Sequence, residues 1–330
     1  MKGQCSSMII GVDMGGTNIR TGLFTCEGRL QNKSIKIHYG SFPPQKTIDL
    51  VVLEVNNILK KEGLDLFNIS AMGVGFPGHV NFKRGIALTT SNLPQWDNIP
   101  LRDILEDRLK IPVYLDNDAN LAALAEHLFG AGKGAKNMIY LTVSSGIGAG
   151  VIINGKIYRG NRGTAGEIGH TTLDINGPLC TCGKRGCLMA MASGIGIANI
   201  AKGVVGEGKK TLIKDLVRND INKITAKVIA EAAFRGDEFA ENLIEQAAKY
   251  LGIGLANLVE ILDPEMIIVG GGLSKIREKF LELVKEVAIQ RIPKQLRDSV
   301  NIVSSPLGSD AGIIGAASLV ITERNQNRGD

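Results

Sequence analysis

Apolar residues along this chain alternate between short unbroken runs and stretches of helical periodicity, the pattern of an α/β protein. Residues 8–12 form a strand-like run that is broken by Asp13-Met14-Gly15-Gly16-Thr17-Asn18. Residues 19–24 resume with β-compatible side chains, so the two runs make a strand–turn–strand unit. Ile48, Val51, Val52, Val55, Ile58 and Leu59 then follow helical spacing, and Gly63 ends that helix. Residues 71–76 are a further strand, closed by Pro77-Gly78. A short strand at 113–115 runs into Asp116-Asn117-Asp118, an acidic start for a helix over 119–129.

A second cycle follows. Met138–Val143 reads as a strand, Ser144-Ser145-Gly146-Ile147-Gly148 as a glycine turn, and 149–153 as the returning strand, with Asn154-Gly155 as a hairpin signal. This repeats the device of residues 8–24 and predicts a duplicated α/β domain with a cleft between the copies. Amphipathic helices are expected over Ala226–Phe234 and Glu238–Leu262, the second ending at Asp263-Pro264. A strand at 266–269, the turn Gly270-Gly271-Gly272 and a Gly/Ala-rich helix over 311–321 complete the pattern. That last helix is expected to pack back on the first domain, and residues 323–330 read as a frayed polar tail.

The chain has 330 residues, enough for about two domains. With 44% hydrophobic and 22% charged residues it has the composition of a soluble globular protein, which excludes disorder. Its longest apolar runs, such as 312–321, fall short of the ~18 residues of a membrane span, and the run at 8–12 is too short for a secretory signal. A cytoplasmic location without a membrane partner is expected. The net charge of +5 suits an anionic small substrate and would also suit nucleic acid. Basic residues are scattered among acidic ones, however, and aromatics are only 5%, so no nucleic-acid partner is expected. Glycine changes the picture more: 41 of 330 residues, about 12% against a usual ~7%, points to backbone that approaches something closely.

Those glycines cluster after predicted strands. Asp13-Met14-Gly15-Gly16-Thr17 puts a carboxylate at a strand end, followed by backbone N–H groups and a hydroxyl able to meet phosphate; Asp13 could hold a Mg²⁺ shell. A plain hairpin turn is the alternative. Residues 144–150 offer the same facilities, and Gly270-Gly271-Gly272 adds a side-chain-free surface suited to a base or ribose. Three such turns at strand C-termini lie where α/β folds place ligands. Gly203-Val204-Val205-Gly206-Glu207-Gly208-Lys209-Lys210 nearly matches a P-loop, but it lacks the final Ser or Thr and follows helical sequence, so it reads as a solvated loop. Asp116-Asn117-Asp118-Ala119-Asn120 is the candidate for acid–base work. A kinase acting on an alcohol needs a carboxylate to accept the hydroxyl proton, which Asp118 would do while Asn117 orients the hydroxyl. The alternative is a helix cap.

His170 with Cys180, Cys182 and Cys187 places one imidazole and three thiols in an 18-residue loop, the donor set of a closed tetrahedral zinc site. A disulfide is the competing reading, but Cys-x-Cys is a strained spacing for a bridge, and the lack of an export signal implies a reducing compartment. Metal is favoured, in a structural role, because four protein ligands leave no open position. The loop would also fix Glu167, whose carboxylate could then bond a polyol.

Together these segments resemble the ROK family of sugar kinases, in particular its bacterial glucokinase branch. The resemblance runs from Ile9 to about Ala317. It is carried by Asp13-Met14-Gly15-Gly16-Thr17-Asn18-Ile19-Arg20, Leu115-Asp116-Asn117-Asp118-Ala119-Asn120, Gly166-Glu167-Ile168-Gly169-His170 and Cys180-Thr181-Cys182-Gly183-Lys184-Arg185-Gly186-Cys187. It implies a two-lobed actin-like ATPase (ribonuclease H-like) α/β fold, with ATP and Mg²⁺ on one side of an interlobe cleft and the sugar deep between the lobes. The lobes are expected at residues 1–117 with about 311–330, and at 118–310, the second containing a zinc loop at 170–187.

The implied activity is ATP-dependent phosphorylation of a hexose at the 6-hydroxyl, glucose first, with mannose, fructose or an amino sugar as alternatives. The resemblance implies Asp118 as catalytic base, with Asn92, Asn117, Glu167 and His170 contacting the sugar. His170 would use one ring nitrogen for zinc and the other for a sugar hydroxyl. Gly15, Gly16, Thr17, Ser145 and Gly146 would meet phosphate, and Gly271 and Gly272 would line the nucleotide pocket. A homodimer or homotetramer is implied as well. One departure stands out: Met189 occupies the place, two residues after the last cysteine, where the family usually has a sugar-binding Glu. A sugar-responsive regulator is the competing class, since ROK-like domains also occur behind DNA-binding segments; the seven residues before the first strand are too few for a helix-turn-helix.

Overall fold

A computed structural model describes residues 7–15, 18–37, 43–89, 95–275, 279–297 and 300–326. The chain opens with β1 (Met8–Met14), β2 (Asn18–Phe24) and β3 (Leu30–Ile37), followed by α1 (Pro44–Lys61) and β4 (Ile69–Phe76). A small meander, β5 (His79–Asn81), β6 (Ile86–Thr89) and β7 (Asp97–Ile99), leads to α2 (Leu101–Leu109), β8 (Val113–Asn117) and α3 (Asp118–Phe129). The second cycle comprises β9 (Met138–Val143), β10 (Ile147–Ile153) and β11 (Lys156–Ile157). It continues with α4 (Leu188–Ala192), α5 (Gly194–Gly206), α6 (Leu212–Leu216), α7 (Ala226–Phe234) and α8 (Glu238–Leu262). It ends with β12 (Met266–Gly270), α9 (Phe280–Arg291), β13 (Asn301–Ser304) and α10 (Ala311–Gln326).

The strands form two five-stranded sheets of one design, ordered β3-β2-β1-β4-β8 and β11-β10-β9-β12-β13, beside the three-stranded β5-β6-β7 sheet. In the first, β1 is antiparallel to β2 and parallel to β4, and β4 is parallel to β8. In the second, β12 is parallel to both β9 and β13. The three residues between β9 and β10 leave room only for an antiparallel pair. The echo between residues 8–24 and 138–153 is therefore a repeat of topology. Asn154 and Gly155 both take positive φ (51° and 73°), the type I′ geometry that their sequence calls for.

Two compact units result, residues 1–134 with 150–165 and 307–330, and residues 135–149 with 166–306. The expected boundary at 118 thus differs from the observed one, since α3 belongs to the first unit. The reason is packing. Gly315 of α10 sits so close to α3 that a Cβ would overlap the Leu121 carbonyl, and Gly150 sits against Ala119, Asn120 and Ala123. The first unit's core gathers Ile10, Val12, Val51, Val55, Val74 and Leu115. Helix α10 lies across β1 and β4, where the register neighbours Gly11 and Gly73 leave space for the carbonyls of Ile313 and Ala316. The Gly/Ala-rich terminal helix does pack on the first unit. It also runs further than its apolar pattern suggested: residues 323–326 are helical, and Glu323 makes an ion pair, so they are not a frayed tail.

In the second unit, α4, α5, α7, α8 and α9 bury Leu188, Ile197, Ile229, Leu251, Leu255 and Val284 with β9 and β12. The near-P-loop at 203–210 begins inside α5, so its first four residues are helix and not loop. Among the described residues no helix is long and apolar enough to cross a membrane.

Candidate functional site

In the first unit, Asp13 is a buried carboxylate near the end of β1, and its register partner on β2 is Arg20. Arg20 reaches across the strand pair to the Asp13 Oδ2 atom at 3.1 Å. Burial pushes the Asp13 carboxyl above its ordinary value, and the Arg20 guanidinium partly offsets this. Gly312, in the first turn of α10, approaches Asp13 so closely that a Cβ would lie 2.6 Å from its carboxyl carbon. The carboxylate thus sits between a cation and a helix N-terminus, both of which favour its charge. Gly15 closes the turn by donating from its N–H to the Asn18 carbonyl at 2.9 Å. Gly16, Thr17 and Asn92 lie outside the described residues.

The turn from β8 into α3 is held by local hydrogen bonds and by two contacts to distant segments. Asn117 is the N-cap of α3, its Oδ1 accepting from the N–H groups of Ala119 (2.9 Å) and Asn120 (3.2 Å). Its amide donates to the Gly78 carbonyl at 3.1 Å. Asp118 Oδ1 accepts from the Ala119 N–H at 2.8 Å. The helix cap that competed with the chemical reading therefore exists, and Asn117 provides it. This holds the backbone just before Asp118. The preceding carboxylate, Asp116, is buried and pairs with Arg159 at 2.8 Å.

In the second unit the turn between β9 and β10 is docked on α5. Ser144 N–H donates to Gly146 O (2.9 Å), while the N–H groups of Gly194 and Ile195 donate to the carbonyls of Ser144 (2.7 Å) and Ser145 (3.0 Å). Ser193 caps that helix, accepting from the Gly196 N–H at 3.0 Å. Against this turn lies a cavity of about 630 Å³, within the ordinary range for small-ligand sites. Its lining includes Ser145, Asn199, Lys202, Thr225, Lys227 and Gly272. The structure so brings Ser145 and Gly272 together. Gly272 has open space where a side chain would be, whereas a Cβ on Gly271 would overlap the Val143 carbonyl, so its missing side chain serves the packing of β12 on β9.

The four predicted metal ligands also converge. The ligand atoms of His170, Cys180, Cys182 and Cys187 all lie within 4.8 Å of one another. His170 Nδ1 is 3.6 Å from Cys180 Sγ, and Cys182 Sγ is 3.7 Å from Cys187 Sγ. A zinc tetrahedron with bonds of about 2.3 Å to sulfur and about 2.05 Å to nitrogen has edges of about 3.8 Å between sulfurs and about 3.6 Å between sulfur and nitrogen. The donor set and its spacing fit that ion, and no disulfide joins these cysteines. The loop is shaped by Gly183 and Gly186, both at positive φ, and by the Cys180 N–H donating to Lys184 O at 2.8 Å. Lys184 Nζ donates to the His170 carbonyl at 2.8 Å, tying the two ends of the loop. Burial pushes the Cys187 thiol up to about 12, while the Lys184 backbone N–H holds exposed Cys182 below its ordinary value. A bound dication would ionise all three thiols.

Glu167 lies at the start of the short 3₁₀ turn Ile168–His170, three residues before the imidazole. Met189, in α4, has its methyl group 3.6 Å from where a Gly146 Cβ would be and 3.1 Å from the Gly169 counterpart. The thioether therefore lies between the β9–β10 turn and the Glu167–His170 segment.

Several residues of these sites were missed by sequence reasoning. Asn199 and Lys202 of α5, Lys227 of α7 and Thr225, the cap of α7, line the cavity with no local motif to single them out. Arg20 could have been found from strand alternation, because a seven-residue separation across a four-residue turn faces it to Asp13. Arg159 carried no such signal.

Two sheets of one strand order, each opened by a strand–turn–strand unit, define the mixed α/β architecture of the actin-like ATPases. Within that class the chain belongs to the ROK family, whose pattern matches residues 9–323. A glucokinase of Halalkalibacterium halodurans is 38% identical over 322 residues, spanning 96% of each chain. The crystal structure of a ROK family glucokinase from Streptomyces griseus in complex with glucose and AMPPNP matches with a TM-score of 0.80 and 34% identity, over 95% of this chain and 99% of that one. A xylose repressor of Caldicellulosiruptor bescii is 35% identical over 318 residues, which is 96% of this chain and 78% of the repressor. The similarity to glucokinases supports sugar phosphorylation as the class of reaction, and the similarity to a repressor leaves a regulatory role open.

Proposed function

We propose that this protein transfers the γ-phosphoryl group of ATP to the 6-hydroxyl of a hexose, glucose first, in the cytoplasm. The observation that carries this reading is the placement of Asp118. It is a carboxylate on the first turn of α3, with the preceding residue pinned as the helix cap, in a chain 38% identical to a glucokinase. Asp118 accepts the proton of the attacking hydroxyl, and Asn117 and Glu167 orient the sugar. His170 presents Nδ1 to the thiols, which leaves Nε2–H as a donor to a sugar hydroxyl. Gly15, Gly16, Thr17, Ser145 and Gly146 contact phosphates, and the cavity beside Gly272 takes the nucleotide, its two lysines suiting an anionic ligand. Gly271 sets the path of the chain into that pocket.

Asp13 offers the hard oxygen donor that Mg²⁺ takes, and the ion would neutralise charge on the transferring phosphate. His170, Cys180, Cys182 and Cys187 would hold zinc as a structural clamp on the segment that carries Glu167. The test is a coupled ADP-release assay over a panel of hexoses, run beside Asp118→Asn. Turnover of glucose, reduced about 10²- to 10⁴-fold in the variant, is expected. Turnover of no sugar, or an undiminished variant, would overturn the kinase mechanism.

A second reading is a sugar-responsive regulator, favoured by the 35% identity to a xylose repressor. It predicts calorimetric sugar binding without phosphoryl transfer.

A further inference from the structure

We propose that Arg159 is a positioning residue for Asp118, acting through Asp116; this rests on the reading of Asp118 as the base. Asp116 is 2% exposed, and both of its oxygens are engaged. Oδ1 accepts from the Asn117 N–H at 2.7 Å and from the Asn120 amide at 3.0 Å, so it binds residues on either side of Asp118. Oδ2 accepts from Arg159 Nε at 2.8 Å. The guanidinium is itself fixed on three sides. Its face stacks 3.6 Å from the centre of the Phe82 ring, one edge meets Asp116, and a terminal nitrogen lies 3.5 Å from Glu323 Oε1 on α10.

A carboxylate buried to this degree stays ionised only if it is paired and hydrogen-bonded. Arg159 is the cation that pairs with Asp116. With the guanidinium gone, the buried Asp116 carboxylate is left without its charged partner and would rotate toward water, releasing one of those bonds and moving the turn on which Asp118 sits. A flat guanidinium between two carboxylates and a ring also has one orientation, which a lysine ammonium would lack. Arg159 further begins the loop closed by the Ala165 N–H donating to the Arg159 carbonyl at 3.1 Å, and this loop is the covalent lead into Gly166-Glu167. Glu323 meets the same guanidinium from α10 and lies outside the Asn117–Asn120 turn, so it separates positioning from mere stabilisation.

The experiment compares kcat, the KM for ATP and thermal midpoints of Arg159→Met, Arg159→Lys, Asp116→Asn, Glu323→Gln and Asp118→Asn with those of the wild type. A displacement of about 1 Å at the reacting group costs about 100-fold. Arg159→Met and Asp116→Asn are therefore expected to lower kcat about 10- to 100-fold, with the KM for ATP within about twofold and no further loss when combined. Arg159→Lys should recover part of kcat, and Glu323→Gln should keep kcat within about twofold even where its midpoint falls. If Arg159→Met keeps kcat within about twofold, or Glu323→Gln loses as much as Arg159→Met, the inference is overturned while the base reading stands on Asp118→Asn. An Asp118→Asn protein of undiminished kcat overturns the base reading and, with it, this inference. Should Arg159→Met not fold, Arg159→Lys and Asp116→Asn decide the matter by the same limits.

Discussion

The two five-stranded sheets share a strand order but solve the problem of their first turn differently. Beside the β1–β2 turn a carboxylate is buried and a cross-strand arginine is brought to it. At the β9–β10 turn there is no charge at all: two serines and a glycine are held by the N-terminus of α5. A buried charge must be compensated at once by a named partner, whereas a hydroxyl turn can rely on backbone bonds alone. Topology thus repeats while chemistry does not. The third-to-fourth strand crossover differs as strongly. In the first sheet it carries one long helix, α1, while in the second it carries the cysteine loop and α4 to α8.

Substitutions can break this comparison, beginning with the packing of the first sheet. A Cβ at Gly73 would overlap the Ala316 carbonyl, and backbone cannot step aside cheaply. Gly73→Val should destabilise by about 3 kcal/mol or more, read by denaturant unfolding. A second sheet that keeps its own transition would show how far the repeats fold independently.

The cysteine loop comes next. Wild-type protein should carry one zinc per chain, and Cys182→Ser or prolonged chelation should remove it. The loss, about 2–3 kcal/mol, should lower the melting midpoint by about 3–4 °C. Metal analysis of native protein that finds no zinc would sink the clamp.

Met189 tests what the second crossover does for substrate choice. Met189→Glu adds a charged hydrogen-bond partner beside the Glu167–His170 segment, and a charge-assisted bond is worth about 1.5–3 kcal/mol. The KM for glucose should fall about 10-fold or more. An unchanged KM with a gain on another hexose would reassign the sugar.

The smallest effect is expected at Asp237, the N-cap of α8. Burial opposes its charge, but the N–H groups of Ala240 and Leu212 and the Thr211 hydroxyl together hold its carboxyl below the ordinary 3.8. Asp237→Ala should cost about 1–2 kcal/mol at neutral pH. A lowered folded-state pKa means the contribution is complete above the ordinary value and fades as pH falls through the folded one. The stability gap between wild type and variant should therefore narrow below about pH 4, and a gap independent of pH would show that packing, not charge, is responsible.

How much was legible in the sequence depended on how far apart the cooperating residues lie. Helices α7 and α8 have the bounds their periodicity implied, because Thr225 and Asp237 cap their starts and Pro264 follows the end of α8. The His170–Cys180–Cys182–Cys187 cluster was legible because all four residues sit within 18 positions, and local spacing brings their donors together. The meander β5 to β7 was not legible, since its strands are three or four residues long and carry too little pattern. The cavity was legible only at Ser145 and Gly272. Much of its remaining lining comes from α5, α7 and the segment leading into α7, whose inward residues look like any half-buried positions.

By itself the sequence determined the α/β class, the duplicated opening device, the convergent His/Cys cluster and the carboxylate on the first turn of α3. These follow from periodicity, caps and short spacing, which act within about one turn or hairpin. Only the tertiary structure decided that α3 joins the first unit and that residues 323–326 continue a helix. It alone showed that Asp116 is neutralised by Arg159, 43 residues away in the chain. Those outcomes rest on burial and charge pairing between distant segments. Burial is what makes such pairs obligatory, and no local pattern records which partner will meet the charge.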